Sequence, residues 1–239
     1  MLSEYNRPMQ KTDTAAARLA AVQSRLSQAC QRAGRSPSTV RLLAVTKTRT
    51  EDEIEGLYRM GLRCFGENRV TEALGKQSHL SADIEWHMIG HLQSNKAKDC
   101  LGFSWLHSLD RLETARALDK VFAKAGRRLS VLLEANTGGE ATKDGVKDLD
   151  ALKHLTQEIT SLTHLDIRGL MTMAPFSPDE SVVRPCFVRL RSWRDSLAQE
   201  FPDQDWQTLS MGMTNDFEWA VEEGSTLVRI GTALFEGFR

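Results

Sequence analysis

No uninterrupted apolar run in this chain exceeds four residues, which excludes a membrane-spanning helix. The opening stretch, Met-Leu-Ser-Glu-Tyr-Asn-Arg-Pro, has no apolar core of the kind a secretory signal needs, so a cytoplasmic protein is expected. Cysteine is scarce. Cys30, Cys64, Cys100 and Cys186 stand far apart with no Cys-x-x-Cys pair, and read as small buried hydrophobes rather than a disulfide or metal set. Neither sign of charge dominates: 31 basic and 32 acidic residues leave a net charge of −1, so no global field draws the chain to nucleic acid or anionic lipid. No Gly-x-Gly-x-x-Gly turn follows the first apolar run, so the usual dinucleotide signature is missing. There is no Pro- or Ser-rich linker, no internal repeat and no heptad pattern, which leaves a single domain over 1–239 and a monomer as the expectation.

What the sequence does have is alternation. Short apolar runs predict strands at 41–47, 63–66, 85–90, 104–109, 129–136, 166–172, 207–211 and 227–231. Between them, amphipathic or helix-forming stretches predict helices at 51–60, 69–80, 95–100, 111–125, 147–162, 179–201 and 215–223, after an opening helix at 12–33. Strands alternating with helices imply parallel pairing with right-handed crossovers. Eight such units close into a barrel, and a chain of 239 residues fits one barrel with little left over. An open doubly wound sheet is the rival. Only eight residues follow the last strand, too few for an outer helix, so the helix at 12–33 is expected to cover that gap.

In such a barrel the active site lies at the carboxyl ends of the strands. The first strand ends Leu43-Ala44-Val45-Thr46-Lys47. Partial burial of Lys47 at the mouth would favour its neutral amine, a nucleophile toward a carbonyl; the plainer reading is a solvated lysine at the start of a loop. The seventh and eighth strands run into Ser210-Met211-Gly212-Met213-Thr214 and Arg229-Ile230-Gly231-Thr232. Gly212 and Gly231 would let the backbone approach a ligand, and Ser210 and Thr232 would donate hydroxyls. Loops after these two strands commonly hold phosphate, helped by helix N-termini. A lysine nucleophile facing a phosphate clamp suggests pyridoxal 5′-phosphate (PLP). Arg229 lies on the same face of the strand as Gly231 and could reach the pyridine nitrogen, where a permanent cation would keep that nitrogen unprotonated and weaken the ring as an electron sink. A salt bridge inside the barrel is the alternative for Arg229.

These stretches, with Phe65-Gly66-Glu67-Asn68, Trp86-His87-Met88-Ile89-Gly90-His91-Leu92-Gln93-Ser94-Asn95-Lys96 and Arg168-Gly169-Leu170-Met171, resemble the pyridoxal phosphate homeostasis (PLP-binding) protein family, and they run in family order from Arg41 to nearly the end. The resemblance implies an α/β fold. It would be a single (β/α)8 TIM barrel of the alanine-racemase N-terminal-domain type (fold type III for PLP), with an extra N-terminal helix and no second domain. It implies Lys47 as the Schiff-base lysine and Ser210, Gly231 and Thr232 as phosphate ligands. It places Asn68, Met171 and Met211 at the cofactor pocket and Arg229 at the ring nitrogen. The tail departs from the family pattern, because Glu236 separates Phe235 from Gly237.

Other clusters carry less. His87 and His91 have the i, i+4 spacing of a helical metal pair, but Gly90 and a strand at His87 argue instead for a buried, hydrogen-bonded His87 and no metal site. Lys143, in the turn-rich loop after the fifth strand, could meet cofactor in transit, or be a solvated loop lysine. Asp203 and Asp205 read as loop charge, and Arg189, Arg191 and Arg194 as a solvated helix face. The expected function is to hold and deliver PLP in intracellular vitamin B6 homeostasis, with apo PLP-enzymes as possible recipients and little or no turnover. A two-base racemase needs an acid–base group on each side of the substrate carbon; Lys47 supplies one, while Tyr5 and Tyr58, the only tyrosines, are not at strand ends. The alternatives are a PLP-dependent amino-acid racemase or lyase, and an aldolase-type lysine acting on a sugar phosphate.

Overall fold

A computed structural model describes residues 14–238. The first strand, β1 (Arg41–Val45), pairs in parallel with β2 (Cys64–Glu67), and pairing continues in chain order through β3 (Glu85–Met88), β4 (Trp105–Leu109), β5 (Leu129–Glu134), β6 (Leu165–Met171), β7 (Thr208–Ser210) and β8 (Leu227–Ile230). The sheet closes where β1 meets β8, with Arg41 opposite Leu227 and Ala44 opposite Ile230. Closure rules out the open doubly wound sheet. The strands are near-continuous apolar runs because both of their sides are covered, one by the barrel interior and the other by helices.

The outer ring is α1 (Ala15–Arg32), α2 (Glu51–Arg59), α3 (Val70–Gln77), α4 (Leu112–Lys124), α5 (Leu149–Ile159), α6 (Glu180–Glu200), α7 (Phe217–Glu222) and α8 (Thr232–Phe235). Between β3 and β4 the expected short helix winds instead as a 3₁₀ segment, Ser94–Gly102. Start signals act where they stand in sequence. Thr50 and Glu53 form a reciprocal capping box on α2, and Thr14 accepts the Ala17 N–H at the start of α1. The predicted start of α1 at Thr12 lies outside the described residues.

The opening helix does fill the gap beside the last strand. It buries Leu19, Val22, Leu26, Ala29 and Cys30 on one stripe and lies against α7, α8 and α2. Arg25 and Arg32 pair with Glu218 and Glu222 of α7, and Arg18 donates to the Leu234 carbonyl in α8. After β8 the chain adds only the single turn α8, not a full outer helix. No helix among the described residues is long and apolar enough to cross a membrane. All four cysteines are free; Cys30, Cys100 and Cys186 are buried, while Cys64 is half-buried and accepts a hydrogen bond from Arg41.

Candidate functional site

A cavity of about 420 Å³ opens at the carboxyl ends of β1, β7 and β8, within the size range of small-molecule sites. Lys47, Arg229, Gly231 and Thr232 all line it. Lys47 is exposed, so the partial burial expected to activate its amine is not there. What is there is a rigid mount. On one side of Lys47, the buried Thr46 hydroxyl donates to Glu67 Oε1 at 2.6 Å, and the Thr46 carbonyl accepts from Lys76 Nζ at 2.8 Å. On the other side, the Thr48 N–H donates to Glu72 Oε1 at 2.6 Å, and Thr48 has a left-handed φ of 63°. Lys76 Nζ joins the two halves, donating to Glu67 and Glu72 at 2.7 Å each. Burial pushes the Glu67 carboxyl up, against the pull of hydrogen bonds from Lys76 and Thr46.

Arg229 extends inside the barrel. Its Nη1 donates to the Ser210 carbonyl at 2.8 Å and the Ser210 Oγ at 2.7 Å, and its Nη2 to the Thr172 carbonyl at 2.9 Å. These acceptors are neutral, so the salt bridge weighed for Arg229 is not formed. Burial lowers its pKa to about 10, opposed by the charges of Asp216 and Glu134, so the guanidinium stays charged at neutral pH.

Four other expected contacts stand outside this lining. Ser210 is fully buried, and its hydroxyl meets His107 Nδ1 at 3.0 Å as well as Arg229. Its side chain therefore points into the barrel rather than to the rim. Met171, at the end of β6, and Met211, just after β7, are both buried. Asn68 is half-buried, and its Oδ1 is a buried oxygen without a partner. The reason is register: β7 ends at Ser210, so the loop that reaches the cavity is 213–216, with Met213, Thr214, Asn215 and Asp216 in the lining. At the rim it is Thr214 that presents a hydroxyl, and its Oγ1 accepts the Ala233 N–H at 3.3 Å. Asp216, pushed up by burial, accepts the Met213 N–H at 2.6 Å and shapes this loop.

Two further assignments change. Gly212 serves packing rather than ligand approach: at φ 96° its Cβ would lie 2.6 Å from Ala220 Cβ and 2.9 Å from Phe217 Cα of α7. At Gly231 a Cβ would meet nothing nearer than Val45 at 3.4 Å, so the protein's own packing does not demand glycine. Helix dipoles contribute little to a phosphate site here, because α7 has six residues and α8 four.

His87 is buried and bonded to Glu85 and His107, as expected of a core histidine. His91 is exposed at the surface and bonded to Arg111, so the two do not face one ion. Lys143 is neither free nor in the lining: it pairs with Glu140 and donates to the Ala174 carbonyl at 3.0 Å. The three arginines of α6 are tethered rather than merely solvated. Arg189 and Arg194 donate to the Thr137 and Trp206 carbonyls, and Arg191 to the carbonyl and carboxylate of Glu223. Asp205 is bonded to Arg168 at 3.1 Å. At the rim, the unexpected Glu236 forms an ion pair with Arg49. Sequence reasoning also passed over Glu134 at the end of β5. Burial, then the charges of Asp110 and Asp144, push its carboxyl up to about 7.

Residues 17–237 match the family described as alanine racemase, N-terminal domain. A pyridoxal phosphate homeostasis protein of Aquifex aeolicus is 44% identical over 220 residues, which is 91% of this chain and 96% of that one. A protein of the same name from Pseudomonas aeruginosa is 42% identical over 224 residues, covering 93% and 95%. The solved structure of PipY from Synechococcus elongatus with PLP bound superimposes with a TM-score of 0.82 at 35% identity, over 93% of this chain and 100% of that chain.

Proposed function

Because this chain belongs to the alanine racemase N-terminal domain family, in its pyridoxal phosphate homeostasis branch, we propose that it binds PLP at Lys47 and holds or delivers it in the cytoplasm. The observation that carries this reading is the convergence in one cavity of five groups. They are a lysine amine with no partner among the described residues, a buried guanidinium, two rim hydroxyls and an uncrowded glycine. When bound, PLP supplies an aldehyde that condenses with an amine and a ring that can withdraw electrons. The chain's own residues do the rest. Lys47 presents its amine from a turn fixed on both sides. Thr214, Thr232 and the Gly231 backbone receive the phosphate. Arg229 directs a permanent cation at the ring, and Asn68 and Met171 would complete the pocket, as the family resemblance implies.

Holding rather than turnover is supported by what the cavity offers for proton transfer. No tyrosine or histidine is among its lining residues, and the two carboxylates there are engaged, Asp216 with the Met213 N–H and Glu236 with Arg49. Monomeric PLP donor to apo-enzymes is the role this arrangement suits, with Lys47 exposed at the rim.

The test is the spectrum of the PLP-reconstituted protein. A near-ultraviolet to violet band is expected, lost on borohydride reduction and missing in Lys47→Ala. Replacing Thr214 and Thr232 together by alanine should weaken PLP binding on the order of tenfold or more while leaving the fold intact. A protein that stays colourless with PLP would end this reading. Loss of chirality at a racemase-like rate across a panel of amino acids would replace it with the catalytic one.

A further inference from the structure

Arg229 is a guanidinium buried inside a barrel with only neutral acceptors around it, and a line of polar side chains leads away from it. Ser210 Oγ lies 2.7 Å from Arg229 Nη1 and 3.0 Å from His107 Nδ1. His107 Nε2 lies 2.8 Å from His87 Nδ1, and His87 Nε2 lies 2.6 Å from Glu85 Oε1. Glu85 opens β3 at the amino-terminal end of the barrel and pairs there with Arg41 at 2.5 Å. The step from His107 on β4 to Ser210 on β7 crosses the barrel interior. The line therefore joins the two ends of the barrel through its centre.

We propose that His87, His107 and Ser210 form a one-directional hydrogen-bond chain that positions Arg229 at the cavity and links its buried charge to Glu85 on the opposite end. The direction follows from the ends. A guanidinium can only donate, so Ser210 Oγ accepts from Arg229 and gives its single hydrogen to His107 Nδ1. His107, neutral, must then carry its hydrogen on Nε2 and donate to His87 Nδ1. His87 in turn carries its hydrogen on Nε2 and donates to Glu85, an acceptor held anionic by Arg41. Three bridging groups have one hydrogen each, and three links need one each. Burial, the first cause at each ring, lowers both: at His87 it outweighs the hydrogen bond and charge of Glu85, which pull the other way, and at His107 the charges of Arg229 and Arg41 add to it. Burial pushes Glu85 up, but the hydrogen bonds it accepts from His87 and Arg41 and the charge of Arg41 outweigh it and hold the carboxyl below its ordinary value.

The rings are also fixed in angle. Trp105 stacks on His87 with centroids 5.5 Å apart and planes 8° from parallel, and His107 meets His87 edge-on at 76°. Of the five N–H bonds of Arg229, three are spent on Ser210 and Thr172, leaving Nε–H and one on Nη2 for the cavity that Arg229 lines. The anchored edge decides where the free edge points. His87, His107 and Ser210 are thus positioning residues that act through Arg229, and none of them lines the cavity.

This inference uses the PLP reading for its second readout only. The first is long-range ¹⁵N–¹H NMR of the ligand-free protein, with the two rings assigned by His87→Gln and His107→Gln. Both should be neutral with hydrogen on Nε2; an Nδ1–H tautomer or a doubly protonated ring in either overturns the chain. The second is PLP titration by absorbance. Ser210→Ala and His107→Phe should weaken binding roughly tenfold and displace the absorption maximum in the same direction as Arg229→Gln, while Ser210→Thr should behave as wild type. Wild-type affinity and spectrum in both Ser210→Ala and His107→Phe, with Arg229→Gln impaired, would overturn the positioning role. If the unaltered protein failed to take up PLP, the cofactor reading would fall while the tautomer spectrum still decided the chain.

Discussion

A lysine that is almost wholly buried is the residue on which the site's geometry depends most. Lys76 is 8% exposed and holds Glu67, Glu72 and the Thr46 carbonyl together behind Lys47. Removing it leaves the Glu67 carboxylate buried with neither oxygen paired to a cation, since Oε2 already lacks a partner. Lys76→Met should therefore lose about 3–5 kcal/mol in urea unfolding, whereas Lys47→Ala, at an exposed position, should stay within about 0.5 kcal/mol of the parent. Equal stability of Lys76→Met and the parent would mean that the network is ornamental. Glu134 makes a prediction of opposite sense. Its folded carboxyl titrates near 7, above the ordinary carboxylate value, so between about pH 4.5 and 7 the folded state keeps a proton that the unfolded chain has released. Stability from this group is complete at low pH and is lost as pH rises through that window. Glu134→Gln should match the parent near pH 4.5 and exceed it at pH 8, by on the order of 3 kcal/mol. A constant difference between the two denaturation curves from pH 4.5 to 8 would refute the assignment. Neither residue was legible as important from sequence, because a lysine in a helix and a glutamate after an apolar strand look solvated until a tertiary neighbour removes the water. Lys47, Arg229, Gly231 and Thr232 were legible because strand ends fix where they stand.

Elements were easier to read than the residues at their ends. Every predicted strand exists because a strand covered on both sides must be apolar throughout, and a run such as Leu129–Glu134 has no other economical explanation. Where the strand stops is set by pairing, which a single segment does not reveal. β7 is expected over 207–211 and pairs only over Thr208–Ser210, and this difference leaves Ser210 inside the barrel and puts the Thr214 hydroxyl in the cavity lining. The two glycines after β7 and β8 separate loop placement from ligand contact. Gly212→Ala must push α7 away from the barrel, because Ala220 and Phe217 already occupy the space and the backbone is left-handed there. A loss of at least about 2 kcal/mol is expected, with weaker PLP binding as the 213–216 loop shifts. Gly231→Ala meets only ordinary contacts, so its unfolding midpoint should stay close to the parent's while PLP binding falls. Measuring both quantities on both variants checks the contrast. Unchanged PLP affinity in Gly231→Ala would show that the backbone there does not approach the cofactor.

At the scale of the whole molecule, the question is what closes the ring of helices. After β8 the chain makes one helical turn, α8, too little to shield the outer side of β8 and β1 from water. The first helix in sequence takes that place, so the opening and closing segments of the described chain depend on each other. Its surface ion pairs are not what holds it. Arg32 is 51% exposed on its side chain, and such pairs are worth about 0–1 kcal/mol. The apolar stripe of Leu19, Val22, Leu26, Ala29 and Cys30 is larger, at roughly 1.5–3 kcal/mol for each large side chain buried. Arg32→Ala should accordingly change stability by less than about 1 kcal/mol. Val22→Asp places a carboxylate where the native side chain is fully buried and should cost several kcal/mol. A parallel barrel has no stable form with one side of a strand pair bare, so the loss should appear as a single, earlier unfolding transition seen alike by far- and near-ultraviolet circular dichroism. If Val22→Asp instead released helical signal early while the barrel melted at its original midpoint and still bound PLP, α1 would be an appended arm rather than the eighth member of the ring.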